Sequence, residues 1–404
     1  MSYFQEQLRD ALAQRENDGL RRCLRAIPPR VLDLASNDYL GLSNDARVVE
    51  AACEAARTFG TGARASRLVS GNLPIHQQLE SEIARFKICE SALLFSSGYA
   101  ANIGVIAALA RNGDTVLCDK RNHASLVDAC KTAQSNGANV RYYSNIEKLR
   151  ALLQSNAPVS NAPRPKIQDP KPRTSSTRSA QTRVLVVTDG VFSMDGDVCD
   201  LPQLFSLCRE FEAVLILDEA HATGTLGTSG RGTIEHFGLD KSEIEIVEIG
   251  TLSKALGAQG GFVVGSQTLI DFLTNAARPF VYSTALSPMT CGAALQSLRV
   301  LEDEPQLLQR LRDVTRQLAN GLKKIGFEAR LQPSPIISVL IGDTTRALEV
   351  SQSLLELGIW CPAIRPPTVP NGTSRLRVTA SATLSHADIA RALTAFTKAK
   401  RVLE

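Results

Sequence analysis

Short runs of apolar, mostly β-branched residues alternate with segments of helical period through the middle of the chain. A strand that is buried on both faces of a sheet is apolar throughout, whereas a half-exposed strand alternates apolar and polar residues. Because these runs are continuous, they predict an α/β domain with a mostly parallel sheet between helices. The predicted strands are residues 92–95, 115–118, 184–188, 214–218, 244–249 and 262–264.

The pattern changes after about residue 284. A long helical stretch over 287–322 precedes strand candidates at 336–341 and 375–378, and a last helix begins at His386. This order is typical of a smaller α+β domain, and 404 residues are enough for two domains. The expected division is an N-terminal segment (1–46) that packs with the small domain, a large domain (47–283) and a small domain (284–404).

One segment of the large domain departs from the pattern. Residues 157–182 are rich in Pro, Ser, Thr and basic side chains and contain almost no apolar ones. Such a composition buries too little apolar surface to offset its ordering entropy. We therefore predict a flexible surface insertion, with a basic docking site for an acidic partner as the alternative.

Composition narrows the class of protein. Hydrophobic residues make up 44% and charged residues 21% of the chain, which is ordinary for a globular protein. The net charge of +4 gives no support to a nucleic-acid or membrane-surface role. No apolar run reaches the ~18 residues of a membrane span, and the N-terminus has acidic residues among its apolar ones, so we expect a cytoplasmic protein. Nine Cys without a C-x-x-C pair and five scattered His predict reduced thiols and no metal site.

The segment DEAHATG (218–224) is the first candidate for chemistry. Asp218 ends a predicted buried strand, and ligands of open α/β sheets bind outside the carboxyl ends of strands. An ATP-dependent helicase would also need a phosphate loop with a Gly-Lys pair, and the chain has none. Two interpretations remain: Asp218 faces a positively charged ring nitrogen, or it only begins a helix beside a packed His221.

The segment TLSKALGAQGG (251–261) favours the first interpretation. Lys254 also follows a predicted strand, between two hydroxyl residues and a glycine-rich turn. A Lys for a Schiff base, an acid for the pyridinium nitrogen, and hydroxyl and amide donors for a phosphate are what pyridoxal phosphate requires.

Two further segments follow predicted strands at the same edge of the sheet. In FSSGYAAN (95–102), the amides of Gly98 and Tyr99 would begin a helix and could bind a phosphate. In NHASL (122–126), His123 could stack on a flat ring. Either segment alone is also compatible with a plain helix cap or a structural histidine.

The chain from about Leu34 to Arg391 resembles the α-oxoamine synthases, which are pyridoxal phosphate enzymes of fold type I, the aspartate-aminotransferase fold. The matching segments are SNDYLGL (36–42), GTGARASRLVSG (60–71), FSSGYAAN, NHASL, TDGVFSMDGD (188–197), DEAHATG and TLSKALGAQGG.

The resemblance implies roles for individual positions. Lys254 would hold the cofactor covalently, Asp218 would pair with its ring nitrogen, and His123 would stack over the ring and contact the substrate; these three would be the catalytic residues. Further cofactor contacts would come from Gly98, Tyr99, Ser193, His221 and Thr251, and from Ser283 and Thr284 reaching across a homodimer interface. Substrate contacts would come from Arg21, Asn37, His123, Thr368 and Arg377, with Arg377 at the substrate carboxylate.

The resemblance also implies a reaction. The segment AIRPPTVPNGTSRLRVT (363–379), and in particular the two residues before Pro367, favours a branch that condenses L-alanine with a pimeloyl thioester, carried by coenzyme A or by acyl carrier protein, with loss of CO2. A sister enzyme that uses glycine and a short acyl-CoA is the nearest alternative. A dehydrogenase would rest on Gly60, Gly62 and Ala65, which follow a helical pattern rather than a strand, and a non-catalytic subunit would have lost Lys254.

Overall fold

The computed structural model describes residues 2–18, 20–28, 30–156 and 182–403. The predicted insertion at 157–182 therefore lies outside the described residues except for Thr182. The helices are α1 (Tyr3–Asn17), α2 (Ala46–Phe59), α3 (Pro74–Lys87), α4 (Gly98–Leu109), α5 (Ala124–Ser135), α6 (Ile146–Asn156), α7 (Leu201–Glu210), α8 (Thr233–Phe237), α9 (Gln267–Ala276), α10 (Arg278–Val281), α11 (Pro288–Asp303), α12 (Gln306–Lys324), α13 (Thr344–Glu356) and α14 (His386–Ala399). The strands are β1 (Leu32–Asp33), β2 (Ser91–Phe95), β3 (Thr115–Asp119), β4 (Asn139–Tyr143), β5 (Val184–Asp189), β6 (Val214–Asp218), β7 (Ile246–Thr251), β8 (Gly261–Gly265), β9 (Glu328–Ala329), β10 (Ile336–Gly342), β11 (Ile359–Trp360), β12 (Ala363–Ile364) and β13 (Ser374–Thr379).

Seven strands form the large sheet in the order β2-β8-β7-β6-β5-β3-β4. Neighbours from β7 to β4 run parallel, and only β8 runs antiparallel to both of its neighbours. The α/β fold with a mostly parallel sheet is thereby confirmed, and each predicted strand is present within one or two residues of its predicted ends. The sequence pattern missed β4, because this edge strand is largely exposed and lacks a continuous apolar run.

Parallel strands place their carboxyl ends at one edge of the sheet. Asp189, the last residue of β5, pairs in register with Asp218, the last residue of β6. The next strand, β7, ends at Thr251 beside them, and β3 on the other side leads into the loop that holds His123. The segments singled out in the sequence therefore meet at this edge, where open α/β sheets bind ligands.

The second sheet has the order β12-β13-β10-β9, and all its neighbours are antiparallel. The N-terminal segment joins this part of the molecule, because β1 pairs with β11. The helical stretch 287–322 consists of two helices that separate at Glu304 and Pro305, and α11 packs against α2 and α3. The domain boundaries at 46 and 283 stay a prediction. Within the described ranges, no helix combines the length and apolar character needed to cross a bilayer.

Candidate active site

Lys254 lies in the turn that follows β7. The turn is closed by a hydrogen bond from the Gly257 amide to the Lys254 carbonyl at 2.9 Å. Among the described residues, the Lys254 amine has no hydrogen bond and no ion pair. Burial lowers its pKa from 10.5 to about 8, although Asp218 and Asp189 attract the charged form. A lysine with such a pKa has an appreciable neutral fraction near pH 7 and can attack a carbonyl carbon.

Asp218 is buried at the end of β6 and is held by two donors. Its Oδ2 accepts a hydrogen bond from Asn102 Nδ2 at 2.7 Å, and its Oδ1 accepts one from the Ala220 amide at 2.8 Å. The sequence analysis did not assign a role to Asn102. Asn102 lies one helical turn after Gly98 in FSSGYAAN, so the (i, i+4) spacing could have placed both on the same face of α4.

A second buried carboxyl group, that of Asp189, lies beside Asp218. Its Oδ2 accepts a hydrogen bond from the His123 amide at 2.6 Å. Burial raises the pKa of Asp189 well above its ordinary value, and repulsion from Asp218 acts in the same direction. Burial and a neighbouring carboxylate both favour the protonated form of Asp189. Asp218, which two donors hold at the end of β6, is the carboxylate placed to face a ring nitrogen.

His123 forms the N-cap of α5. Its Nδ1 lies 2.8 Å from Ser125 Oγ and accepts a hydrogen bond from the Ser125 amide at 3.3 Å. Burial lowers the pKa of His123, and Lys254 acts in the same direction. The ring is therefore neutral near pH 7 and fixed in orientation, as stacking on a flat cofactor requires.

The first turn of α4 offers a phosphate seat. Ser97 caps the helix by accepting from the Ala100 amide at 3.0 Å. Among the described hydrogen bonds, none involves the amides of Gly98 and Tyr99, which therefore remain available to an anion. A Cβ on Gly261 would lie 2.4 Å from the Ser97 carbonyl oxygen, so only glycine lets β8 approach this turn so closely.

Thr251 supports the same turn from β7. Its hydroxyl donates to the Gly260 carbonyl at 2.8 Å and lies 2.7 Å from Ser253 Oγ. A Cβ on Gly98 would touch Thr251 Cβ at 3.3 Å, so the hydroxyl pair lies against the phosphate seat. The predicted cofactor contact of Thr251 stays a prediction. A phosphate seat, a carboxylate for a ring nitrogen and a lysine of lowered pKa at one strand edge fit pyridoxal phosphate.

Arg377 on β13 is a buried cation that forms no ion pair with any carboxylate of the described residues. Its guanidinium donates to the Ser193 carbonyl at 2.5 Å and to Asn37 Oδ1 at 3.1 Å, and these acceptors are neutral. Arg375, two residues earlier on the same face of the strand, forms an ion pair with Asp195. A buried guanidinium whose hydrogen-bond acceptors are neutral favours an incoming carboxylate, which can accept two parallel hydrogen bonds.

Tyr39 connects this arginine to the cofactor site. Its hydroxyl lies 2.7 Å from His221 Nδ1, bonds Asn37 Oδ1 at 3.1 Å and accepts from Arg377 at 3.4 Å. Burial lowers the pKa of His221 well below its ordinary value, and Lys254 and Arg377 act in the same direction. The sequence analysis did not assign a role to Tyr39, although it lies in SNDYLGL beside the predicted Asn37. Ser193 contacts the same group of residues, because its carbonyl oxygen accepts the hydrogen bond from Arg377.

Four predicted site residues lie elsewhere. Ser283 is half-buried and Thr284 is exposed; Thr284 forms an isolated bridge with Ser66, and neither side chain has a hydrogen bond to the group around Lys254 among the described residues. Arg21 and Thr368 line a separate groove beside β12. The remaining ten are grouped at the strand ends or around Arg377: Asn37, Gly98, Tyr99, His123, Ser193, Asp218, His221, Thr251, Lys254 and Arg377. All of the predicted roles stay predictions.

Known proteins match almost the whole chain. The family model described as aminotransferase class I and II matches residues 29–396. A relative from Bacillus subtilis strain 168, named 8-amino-7-oxononanoate synthase 2, is 40% identical over 400 residues, which are 96% of this chain and 96% of the relative.

Solved structures agree with this match. A serine palmitoyltransferase from S. paucimobilis, with pyridoxal phosphate and myriocin bound, superposes with a TM-score of 0.85 at 28% identity, covering 99% of both chains. An 8-amino-7-oxononanoate synthase from Francisella tularensis superposes with a TM-score of 0.73 at 27% identity, covering 92% of this chain and 98% of the other. This chain therefore belongs to the class I and II aminotransferase family of pyridoxal phosphate enzymes and, within it, to the α-oxoamine synthases.

Proposed function

We propose that the chain joins L-alanine to a pimeloyl thioester and releases CO2 and the free thiol, which gives 8-amino-7-oxononanoate for biotin synthesis. The observation that carries the proposal is the buried Arg377 near Lys254, which has no counter-ion within the described ranges and so fits an amino-acid substrate bound through its carboxylate. The names of relatives that are 40–43% identical support the choice of L-alanine and pimeloyl thioester within the family.

Lys254 supplies both covalent attachment and proton transfer in this proposal. Pyridoxal phosphate, when bound, withdraws electrons from the substrate α-carbon and so makes its proton removable. Once the substrate has displaced it, the Lys254 amine takes the α-proton and later returns a proton to the same carbon. Its pKa of about 8 suits both roles near neutral pH, since neither the charged nor the neutral form is rare.

Asp218 keeps a proton on the ring nitrogen. The two hydrogen bonds that it accepts from Asn102 and Ala220 fix the carboxylate, so its charge is already oriented before the substrate arrives. His123 would cover one face of the ring and contact the substrate. Its lowered pKa means that it does not add a second positive charge there.

Arg377 holds the carboxylate of the amino acid, with Asn37 and Tyr39 fixing the guanidinium. The new carbon–carbon bond forms between the alanine α-carbon and the thioester carbonyl, and the thiol leaves. The bond to the carboxylate then breaks, and CO2 departs from Arg377. A proton then replaces the lost carboxylate on the α-carbon, which gives the product.

A homodimer is proposed from the surface around the half-buried Ser283 and the exposed Thr284. Tyr282 is 72% exposed and Val69 is 79% exposed, and both are large apolar side chains. A second copy that covered them would bury apolar surface and could bring Ser283 and Thr284 to the partner's phosphate seat. Sedimentation equilibrium should give twice the 43.6 kDa chain mass. A monomer that turns over at the full rate would exclude this arrangement. We also propose that the protein is located in the cytoplasm.

Condensation of L-serine with a long acyl thioester is the second candidate, because the serine palmitoyltransferase structure has the higher TM-score of the two. A product assay separates the candidates. L-alanine, glycine and L-serine should each be offered with pimeloyl, acetyl and palmitoyl thioesters. We expect L-alanine with pimeloyl thioester to react fastest, and L-alanine to exceed glycine by ~10–200-fold, since one methyl group in an apolar pocket contributes ~1–3 kcal/mol. A preference for serine with palmitoyl thioester, or for glycine with acetyl thioester, would contradict the proposal.

A further inference from the structure

A groove of about 450 Å³ lies between the N-terminal segment and the small sheet. Four arginines line it: Arg21, Arg22 and Arg25 from the N-terminal segment, and Arg365, which follows β12. We refer to it as the arginine groove.

The charge of the arginine groove is largely uncompensated. Arg21 forms an ion pair with Glu16, whereas Arg22, Arg25 and Arg365 have no ion pair among the described residues. No Asp or Glu of the described ranges lines the groove. Several guanidinium groups that face one space without a carboxylate create a site for an anion.

Neutral contacts hold two of these arginines in place. Arg22 donates to Thr368 Oγ1 at 3.3 Å, and Arg365 donates to the Arg21 carbonyl at 3.1 Å. These bonds connect the N-terminal segment to the loop after β12. Hydrogen bonds within the protein therefore fix the positions of Arg22 and Arg365 in the groove.

Part of the lining of the groove is apolar. Leu355, Trp360 and Ile364 contribute to it. A ligand that matches the arginine groove therefore carries a phosphate-like charge beside an uncharged, partly aliphatic arm.

The arginine groove adjoins the proposed substrate site. Ile364 pairs with Arg375 in the small sheet, and Arg377 lies two residues further along the same strand. Arg21, Arg22 and Arg25 are exposed, whereas Arg377 is buried. An acyl thioester must put its reacting carbonyl near Lys254 while its bulky carrier stays outside, so the exposed groove suits the carrier end.

We propose that the arginine groove binds the phosphate of the phosphopantetheine arm of the acyl donor. This arm is common to coenzyme A and acyl carrier protein, and its uncharged pantetheine part matches the apolar part of the lining. The inference rests on the proposed function, because it takes the acyl thioester as the substrate.

The test compares thioesters with and without the phosphate. Steady-state kinetics of the holoenzyme and of its Arg22→Gln/Arg25→Gln variant should be measured with S-pimeloyl pantetheine and S-pimeloyl phosphopantetheine. For the phosphorylated thioester, KM should rise about 10-fold, on the scale of one or two charge-assisted contacts at an exposed site. For pantetheine, which has no phosphate, KM should stay within twofold, and kcat should be preserved with both. The exposed Arg310→Gln, on α12, is the matched control and should change neither.

The same kinetics should also be measured with two complete acyl donors, pimeloyl-CoA and pimeloyl acyl carrier protein. A rise in KM with both supports recognition of the shared phosphate. A rise confined to the carrier protein would instead indicate its acidic surface and would overturn the inference, as would equal effects on phosphorylated and unphosphorylated arms or no effect at all. If the unaltered holoenzyme forms no product from L-alanine and any pimeloyl thioester, the proposed function fails before the arginine groove is tested.

Discussion

Two lysines of the large sheet region illustrate how surroundings decide what a side chain can do. Lys87, the last residue of α3, is 1% exposed and forms ion pairs with Glu248 at 2.9 Å and Glu219 at 3.5 Å. Lys254, in the turn after β7, forms no ion pair among the described residues. Two acidic residues that are adjacent in sequence serve the two lysines. Asp218 attracts Lys254, whereas Glu219 forms an ion pair with Lys87.

The pKa values of the two amines move in opposite directions. Burial alone would lower both. For Lys87, the attraction of Glu248 and Glu219 outweighs burial and leaves its pKa raised. For Lys254, burial prevails and the pKa falls to about 8. Lys87 is thus a permanent cation of the core, whereas Lys254 can act as a nucleophile and a base.

Replacing Lys254 should have the largest effect on chemistry. We expect Lys254→Ala to lose the visible absorbance of covalently held cofactor and to lower turnover by ~10³-fold or more, because attachment and proton transfer both depend on its amine. Since this amine has no ion pair in the described structure, the melting temperature should change little. Absorption spectra, turnover and thermal melts check this. Retained colour and wild-type turnover would show that another lysine holds the cofactor.

Replacing Lys87 should have the converse effect. Lys87→Met leaves Glu219 buried without a cation, whereas Glu248 keeps its ion pair with Lys241. Removing one partner of a buried ion pair costs about 3–5 kcal/mol of folding free energy. Turnover per folded molecule should be nearly unchanged. Denaturant unfolding and active-site titration measure the two quantities separately. The matched triple variant, which also carries Glu219→Gln and Glu248→Gln, should recover part of the stability. A Lys87→Met protein that is stable but inactive would contradict the assignment.

Asp218 and Glu219, which are adjacent in sequence, should differ in the same way: one is needed for the reaction and the other for stability. Asp218→Asn keeps the shape of the side chain and removes the charge that holds a proton on the ring nitrogen. We expect the exchange of the L-alanine α-proton to slow by roughly 10²- to 10³-fold, as for the loss of one oriented electrostatic contact. The protein should remain coloured, because Lys254 is intact. Glu219→Gln is the control: it should lower stability and leave exchange within a few fold. Exchange at the wild-type rate in Asp218→Asn would leave that residue as a helix-start acid only.

The smallest expected effect is a shift in a pH midpoint. In protein freed of cofactor, the Lys254 amine must be uncharged to attack pyridoxal phosphate. The rate of cofactor capture should therefore rise with pH and level off above about 8, rather than continue to the 10.5 of an ordinary lysine. Because Asp218 raises the pKa of Lys254, Asp218→Asn should move the midpoint lower. Stopped-flow absorbance over a pH series measures this, and a midpoint near 10.5 would show that the amine is not desolvated.

The sequence alone predicted the elements that a short stretch of residues determines, such as the buried strands. The apolar runs predicted the buried strands. Asp218, His123 and Lys254, which directly follow such strands, were expected to meet at one edge of the sheet, because parallel strands bring their carboxyl ends together. Their roles stay predictions. The exposed edge strand β4 was missed because it lacks a continuous apolar run.

The ion pairs could not be predicted, because they join distant segments. Arg375 and Arg377 occupy equivalent places in RLRVT, and only the fold brings Asp195, 180 residues away, to the first and not the second. Likewise, no local signal marks Lys87 as the partner of Glu219 and Glu248. The roles of Tyr39 and Asn102 also depend on tertiary contacts, although both lie inside segments that the sequence analysis had singled out.

Chemical trapping tests the central claim most directly. Borohydride reduction of the purified coloured protein fixes the cofactor to the lysine that holds it, and digestion with mass spectrometry then locates the modified residue. The account predicts one pyridoxyl group per chain, on Lys254, with Lys87 unmodified. A pyridoxyl group on Lys87, on Lys241 or on any other lysine in place of Lys254 would contradict it.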